Sequence, residues 1–343
     1  LHGGDVKYLM PGSEFCNLDF ADTAVFSRLA NSLNYYSDEF LPNWLSENKI
    51  DLYHVPQNGI GLPTDCACKR VVTIHDLIPY VYPETVGRSY LKQFLGQMSE
   101  IMRQADGIIA VSEYTKTDIM RYFDYPEDRI RVIYEAAEPV YAPTAKDTCK
   151  EVLRRQYGIE KDYLLYVGGF GTRKNLTCLL TAFSQIVNKG EREIALVCPG
   201  KSERAKGYLK ELAKALGIEK SVIFPGFVPV NILPYFYGGA ETLVYPSLYE
   251  GFGLPVLEAM ACGCPVLAAD NSSLPEIGGK AAEYFNAMDS KSLADAMLSV
   301  LEDAGKRATM IRAGLERSAL FDWQKNAEET WDFYKEILER PFI

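Results

Sequence analysis

Residues 242–262 read TLVYPSLYEGFGLPVLEAMAC. An apolar run, a turn through Pro246 and Ser247, a glycine-flanked loop and a stretch of helical spacing from Leu254 read as a buried strand delivering its chain into a helix. Pro255 suits the first helical turn, where its missing N–H costs nothing. Glu250 then stands in the loop before the helix, and Glu258 lies about one turn inside it. Gly251 and Gly253 are expected to let the backbone approach a ligand closely, with free amides favouring an anion or a hydroxyl-rich group. Taken singly, Glu250 reads as a solvated loop carboxylate and Glu258 as a helix-face residue; the pair about this loop points to function.

The same strand-then-helix pattern repeats along the chain. Short, continuous, β-branched runs occur at Arg70–Ile74, Gly107–Val111, Ile130–Tyr134, Tyr163–Val167, Ile194–Cys198, Val222–Pro225, Glu241–Tyr245 and Pro265–Ala268, each followed by Gly, Pro, Ser or Asp. The fold class is therefore α/β, with two Rossmann-like, doubly wound parallel sheets facing across a cleft. The segment Glu138–Asp147, EPVYAPTAKD, has two prolines and no periodicity and reads as the linker between an N-terminal domain (1–145) and a second domain (146–321). A last helix, Gln324–Leu338, with apolar positions Ala327, Trp331, Tyr334 and Ile337, belongs to a C-terminal segment (322–343) returning to the first domain.

Composition narrows the function. The chain has 343 residues, 48% apolar and 24% charged, which suits two domains because single cores stop growing at roughly 250–300 residues. Its net charge is −10, with 12 basic against 20 acidic residues in 1–145 and 24 against 26 beyond. That balance speaks against nucleic acid as a partner and gives no sign of an anionic-membrane patch. No apolar run spans a bilayer and no signal-like N-terminus is present, so a cytoplasmic location is expected, with loose peripheral membrane contact left open. The chain begins at Leu1, so an N-terminal piece, including the first strand and loop of the first domain, is expected to be missing. Eight scattered cysteines read as free thiols, and two C-x-C pairs with only three histidines make no zinc pattern.

A second glycine-rich turn, Tyr163–Leu180, reads YLLYVGGFGTRKNLTCLL; Gly168, Gly169 and Gly171 precede Arg173 and Lys174. Cations at a helix start oppose its dipole, a misfit removed if they hold a polyanion, and a diphosphate is the obvious candidate. The spacing is neither a P-loop nor a clean dinucleotide fingerprint, which disfavours a nicotinamide-dependent dehydrogenase. In RVVTIHDLIP, His75 and Asp76 fall at the carboxyl end of a buried strand, making His75 the best placed of the three histidines; His54 ends a further strand, DLYHVP. Ser112 reads as a helix cap, Pro275–Glu276 as a loop near the ligand, and Cys262 and Cys264 as small buried residues.

Glu250 to Glu258 forms an E-x7-E pattern, and with VVTIHDLIP, IIAVSEYTKTDI, RIRVIYEAAEPVY, YVGGFGTRKNL, VIFPGFVP, PEIGG and FDWQKNAEETWDFY the chain resembles family 4 glycosyltransferases of the GT-B fold over roughly residues 50–343. The resemblance implies a retaining glycosyltransferase, a hexosyltransferase moving a sugar from a nucleotide-diphosphate donor of UDP or GDP type to a glycan or lipid-linked acceptor in polysaccharide or glycoconjugate biosynthesis. No cofactor is implied beyond that nucleotide sugar. It further implies that Glu250 hydrogen-bonds donor hydroxyls beside Gly251 and the amides of Phe252, Gly253 and Leu254, and that Glu258 binds the ribose. Arg173 and Lys174 would neutralise the diphosphate, Gly226, Phe227 and Val228 would line the base, and His75 would orient the sugar from the opposite domain. Many relatives carry an arginine where this chain has Gly169; the adjacent Arg173 and Lys174 are similar to a mannosyltransferase-like subset.

The chemistry suits those residue types. Cleaving a sugar–phosphate bond leaves negative charge on the diphosphate, which preorganised cations and helix amides stabilise. No D-x-D pair occurs in the chain, so a metal-independent reaction is expected. The alternative is a catalytically weak nucleotide-sugar-binding subunit or scaffold. Glu250→Ala is expected to lose transfer while folding normally, as a loop carboxylate would.

Overall fold

Ten short strands, each parallel to its neighbours, form two sheets in the computed structural model, which describes residues 41–63, 66–188, 193–200 and 203–341. His2, Cys16 and the start of the first domain lie outside the described residues. The first sheet contains β1 (Leu52–Val55), β2 (Lys69–Ile74), β3 (Gly107–Ala110) and β4 (Ile130–Val132) in that spatial order. The second contains β5 (Tyr163–Leu165), β6 (Ala195–Val197), β7 (Val222–Ile223), β8 (Thr242–Tyr245), β9 (Val266–Ala269) and β10 (Glu283–Phe285), ordered β10-β9-β8-β5-β6-β7. This is the two-sheet, parallel α/β architecture expected from the alternating runs, with strands trimmed by a residue or two at their ends. Those runs became β2 to β9, β1 answers to the separately read DLYHVP, and β10 had no counterpart; its EYF is half-buried and too short to stand out.

Both faces of the first sheet are covered, which is why its strands read as continuous apolar runs. Val72, Ile74 and Ile108 pack on Phe94, Met98 and Ile101 of the helix Arg88–Gln104. Their neighbours Val71 and Ile109 point the other way, with Ile133, onto Phe333 and Ile337 of the C-terminal helix Trp323–Glu339. Gly107 permits that close approach, since a Cβ there would lie 2.7 Å from Ile337. The buried stripe of this helix differs from expectation. Phe333 and Ile337 are buried, Tyr334 is half-buried and Ala327 is exposed, because the only fully buried positions lie in the last turns of the helix.

In the second sheet the chain runs outward from β5 to β7, returns to β8 beside β5, and continues to β10 in the opposite direction. The order therefore reverses between β5 and β8, and a crevice opens beyond their carboxyl ends. The connecting segment before the helix Lys146–Tyr157 is anchored rather than loose. Tyr141 is buried with its ring 5.9 Å from Tyr237 of the second domain, and the last two residues of the expected linker, Lys146 and Asp147, already belong to the helix.

Candidate active site

The two chain segments leaving β5 and β8 meet at the reversal. After β5 the glycine turn leads into a 3-10 turn, Thr172–Lys174, and the helix proper begins at Leu176. After β8 the chain runs through Glu250 into the helix Leu254–Ala261, with Pro255 in its first turn. Asn175, in a left-handed conformation, joins the two exits by donating to the Pro246 carbonyl (3.1 Å) and the Ala287 carbonyl (2.7 Å).

Glu250 sits between the two cations. Its Oε1 lies 2.6 Å from Lys174 Nζ and 3.0 Å from Arg173 Nη1, and accepts a hydrogen bond from the Tyr245 hydroxyl at 3.0 Å. Lys174 also donates to Tyr245 Oη at 2.9 Å, and Arg173 donates to the Tyr249 carbonyl. Burial alone would push the Glu250 carboxyl up, but the Lys174 and Arg173 charges hold it below the usual range. Burial lowers the Lys174 ammonium from its ordinary value, against the pull of Glu250. Two cations thus share one carboxylate, leaving net positive charge at the crevice.

This geometry corrects two expectations. Arg173 and Lys174 precede the helix in a 3-10 turn, so part of their charge is met by Glu250 rather than by an external anion alone. Glu250 is 8% exposed, not a solvated loop carboxylate, so its removal would set two cations against each other in a desolvated place and destabilise the fold. The structure thus argues against the expectation that Glu250→Ala folds normally.

Backbone donors complete this edge. The amides of Phe252, Gly253 and Leu254, at the start of the helix Leu254–Ala261, have no protein acceptor among the described residues. Gly253 needs its φ of 112°, whereas Gly251 serves a different purpose from the one expected. A Cβ on Gly251 would fall 1.7 Å from the His75 carbonyl oxygen, so this glycine lets the two domains touch.

The first domain contributes the opposite wall. His75 follows β2; its N–H donates to Asn58 Oδ1 at 2.7 Å, and its ring lies 3.0 Å from Glu135 Oε1 through Nδ1 and 2.8 Å from the Pro56 carbonyl through Nε2. The Glu135 hydrogen bond raises the His75 pKa above its ordinary value, and burial raises that of Asp76. His54 is a packing residue instead. It contacts Tyr334 Oη (2.5 Å) and Thr73 Oγ1 (2.8 Å), and burial pushes its pKa down to about 4. Sequence reading passed over Glu135, which stands in the turn after β4 as His75 does after β2; that shared position was the available signal.

The two walls enclose a cleft of about 240 Å³, lined by His75, Asp76 and Glu135 on one side and by Gly168, Lys174, Tyr245, Glu250 and Gly251–Pro255 on the other. Polar contacts close its seam. Ser112, the N-cap of the helix Glu113–Tyr122, donates to the Gly251 carbonyl (2.6 Å), as Thr115 Oγ1 does (3.1 Å). The Tyr249 hydroxyl donates to Asp118 at 2.7 Å. Glu276 belongs to a short helix, Leu274–Gly278, rather than a loop. Its carboxylate accepts from the amides of Glu113 (2.7 Å) and Tyr114 (3.1 Å), so it clasps the domains.

The remaining expected positions stand apart from this cleft. The Gly169 carbonyl accepts from the Tyr166 hydroxyl at 2.5 Å; Phe227 is 70% exposed and Val228 is buried in the core. Glu258 accepts from the Tyr237 hydroxyl (2.6 Å) and from Tyr141, and burial raises its pKa despite those bonds. Cys262 and Cys264 are buried, as expected. Among the described residues no three His, Cys, Asp or Glu gather as a metal site, and no helix is long and apolar enough to cross a membrane.

Residues 14–139 match the family described as Glycosyltransferase Family 4, and residues 150–317 match Glycosyl transferases group 1. The chain is 32% identical over 291 residues to O-antigen chain mannosyltransferase B of Escherichia coli, covering 85% of this chain and 76% of that protein. It is 29% identical over 336 residues to the serotype-specific mannosyltransferase WbdA of Escherichia coli, covering 95% of this chain and 40% of that longer protein. Its fold is similar to sucrose-phosphate synthase from Thermosynechococcus elongatus, with a TM-score of 0.74 at 23% identity, covering 98% of this chain and 82% of the other.

Proposed function

The chain belongs to the family 4 glycosyltransferases of GT-B fold, and on that premise we propose that it is a retaining hexosyltransferase moving mannose from a nucleoside-diphosphate donor to a saccharide or lipid-linked saccharide acceptor in polysaccharide biosynthesis. One observation carries the reading: Arg173 and Lys174 converge on Glu250 at the β5–β8 reversal, and Lys174 and Glu250 face His75 across a cleft of sugar size. The choice of mannose rests on the O-antigen mannosyltransferase relatives.

The diphosphate fits the edge with surplus positive charge, near Lys174 and the open amides of Phe252, Gly253 and Leu254. The sugar then lies between Glu250 and His75. As the bond from the anomeric carbon to the phosphate oxygen breaks, its electron pair passes to the diphosphate, whose new charge these donors stabilise. The acceptor oxygen bonds to the anomeric carbon from the same face, and its proton goes to the departing diphosphate. Fixed cations supply the charge that a divalent ion supplies elsewhere, so the reaction is proposed to need no metal.

The test is transfer from UDP-, GDP- and dTDP-linked hexoses to a mannose-terminated acceptor, with and without chelator, and the product anomer read by NMR. A GDP- or UDP-mannose reaction that retains configuration and survives chelation is expected. Inversion of configuration, or abolition by chelator, would overturn the corresponding part. Donor binding without transfer to any acceptor would leave only a binding subunit.

A further inference from the structure

Both ring nitrogens of His75 face acceptors. The Pro56 oxygen is a carbonyl and can only accept, so the Nε2 that lies 2.8 Å from it carries a proton. The group 3.0 Å from Nδ1 is the Glu135 carboxylate, so Nδ1 carries the other. In the state with both nitrogens protonated the ring has no lone pair, so His75 then cannot act as a base for the acceptor hydroxyl.

We infer that Glu135 is a positioning residue for glycosyl transfer: its carboxylate holds the Nδ1 proton of His75, fixing the ring at the cleft wall with its Nε2 proton available to a hydroxyl of the bound sugar. The Pro56 carbonyl keeps that proton until the hydroxyl replaces it. This inference rests on the reading of the cleft as a sugar site. It is possible only because the turns after β1, β2 and β4 leave the same edge of one parallel sheet: Pro56, His75 and Glu135 come from three separate strands. Both His75 and Glu135 line the cleft, and the His75 side chain keeps 37% exposure, so a ligand can reach it.

The charges around the ring are few and can be named. Asp76 stands beside it on the same turn, Glu135 on the turn after β4, and His54 behind it on β1. Arg173, Lys174 and Glu250 face it from the second domain. Those last three form their own cluster, leaving Glu135 as the carboxylate bonded directly to the ring.

The chain has three histidines, so nitrogen-edited NMR of the histidine-labelled full-length protein resolves each one. Without substrate, His75 is expected to titrate above the ordinary 6.5, while His54 titrates near 4. Glu135→Gln, which keeps an acceptor but loses the charge, should lower the His75 midpoint and leave His54 in place. A His75 midpoint at or below 6.5, or an unmoved midpoint in Glu135→Gln, overturns the proposal.

The kinetic arm separates positioning from general stability. Glu135→Ala should lower kcat/KM for the nucleotide sugar by about 10–100-fold, the loss of one charge-assisted hydrogen bond, with Glu135→Gln losing less. Affinity for the bare nucleoside diphosphate should stay within about twofold of the unsubstituted chain, because His75 serves only the sugar end. Equal loss of sugar-linked and bare nucleotide would mean that Glu135 merely supports the fold, and overturns the role. If the unsubstituted chain transfers from no nucleotide sugar, the functional reading itself fails, and the unchanged NMR result identifies that failure as separate from the His75–Glu135 pairing.

Discussion

The carboxyl edges of the two sheets solve different electrostatic problems with similar parts. Each sets a carboxylate against a cation at close range, His75 with Glu135 at 3.0 Å on one side and Lys174 with Glu250 at 2.6 Å on the other. On the first edge the cation is conditional, since the Glu135 carboxylate is what raises the imidazole's pKa above its ordinary value. On the second, two cations share one carboxylate, which leaves net positive charge on that edge, within reach of Asp76 on the first. The difference matches the two ends of a nucleotide sugar: a neutral, hydroxyl-rich end that needs an oriented donor, and an anionic end that needs unspent charge.

Removing the shared carboxylate breaks the comparison most severely. Glu250→Ala should cut kcat by about 10²–10³-fold, as loss of a preorganised polar group does. It should also cost about 3 kcal/mol of stability, near the lower end for a truncated buried ion pair because the partner side chains keep some exposure. Parallel transfer assays and urea denaturation check both. Wild-type stability in this variant would show that the carboxylate is not buried in solution as it is here.

Separating the two edges comes next. Gly251→Ala places a methyl 1.7 Å from the His75 carbonyl oxygen, so the domains must part by an ångström or more. Displacement on that scale costs about 100-fold in rate. The second domain keeps its own core, so nucleoside-diphosphate binding, measured by calorimetry, should change far less than transfer. Equal losses would mean that Gly251 matters to its own loop and not to the seam.

The smallest effect sharpens the comparison at the latch. Tyr249 precedes Glu250, and its hydroxyl donates to Asp118, a buried carboxylate of the first domain whose pKa burial raises. Tyr249→Phe leaves that carboxylate unsatisfied and should cost about 1–2 kcal/mol. Combining it with Asp118→Asn should recover part of the loss in a double-mutant cycle on thermal unfolding. Strict additivity would rule out the latch as a coupling between the edges.

Much of this was legible in the residues alone. The continuous apolar runs marked most strands because a buried parallel strand has no polar face to interrupt it. The E-x7-E segment and the Arg173–Lys174 turn were visible because each motif is local, and one strand-to-helix turn holds all its parts. The failures share one cause. Glu135 looked like any acidic residue in a turn, Gly251 like a loop glycine, Ala327 like a core position, and Glu276 like a neighbour of the ligand. In each case the deciding partner, His75, the His75 carbonyl, the end of the first sheet or the helix Glu113–Tyr122, lies far away along the chain.

The sequence by itself determined the parallel α/β architecture and which chemical groups stand at the strand exits, because strand, turn and helix follow from short-range pattern and covalent spacing. The tertiary structure alone decided which charges neutralise one another and which glycine makes the seam. Those outcomes depend on burial and on distances of about 3 Å, and such distances are fixed only when two separate cores have closed and brought the ends of their sheets face to face.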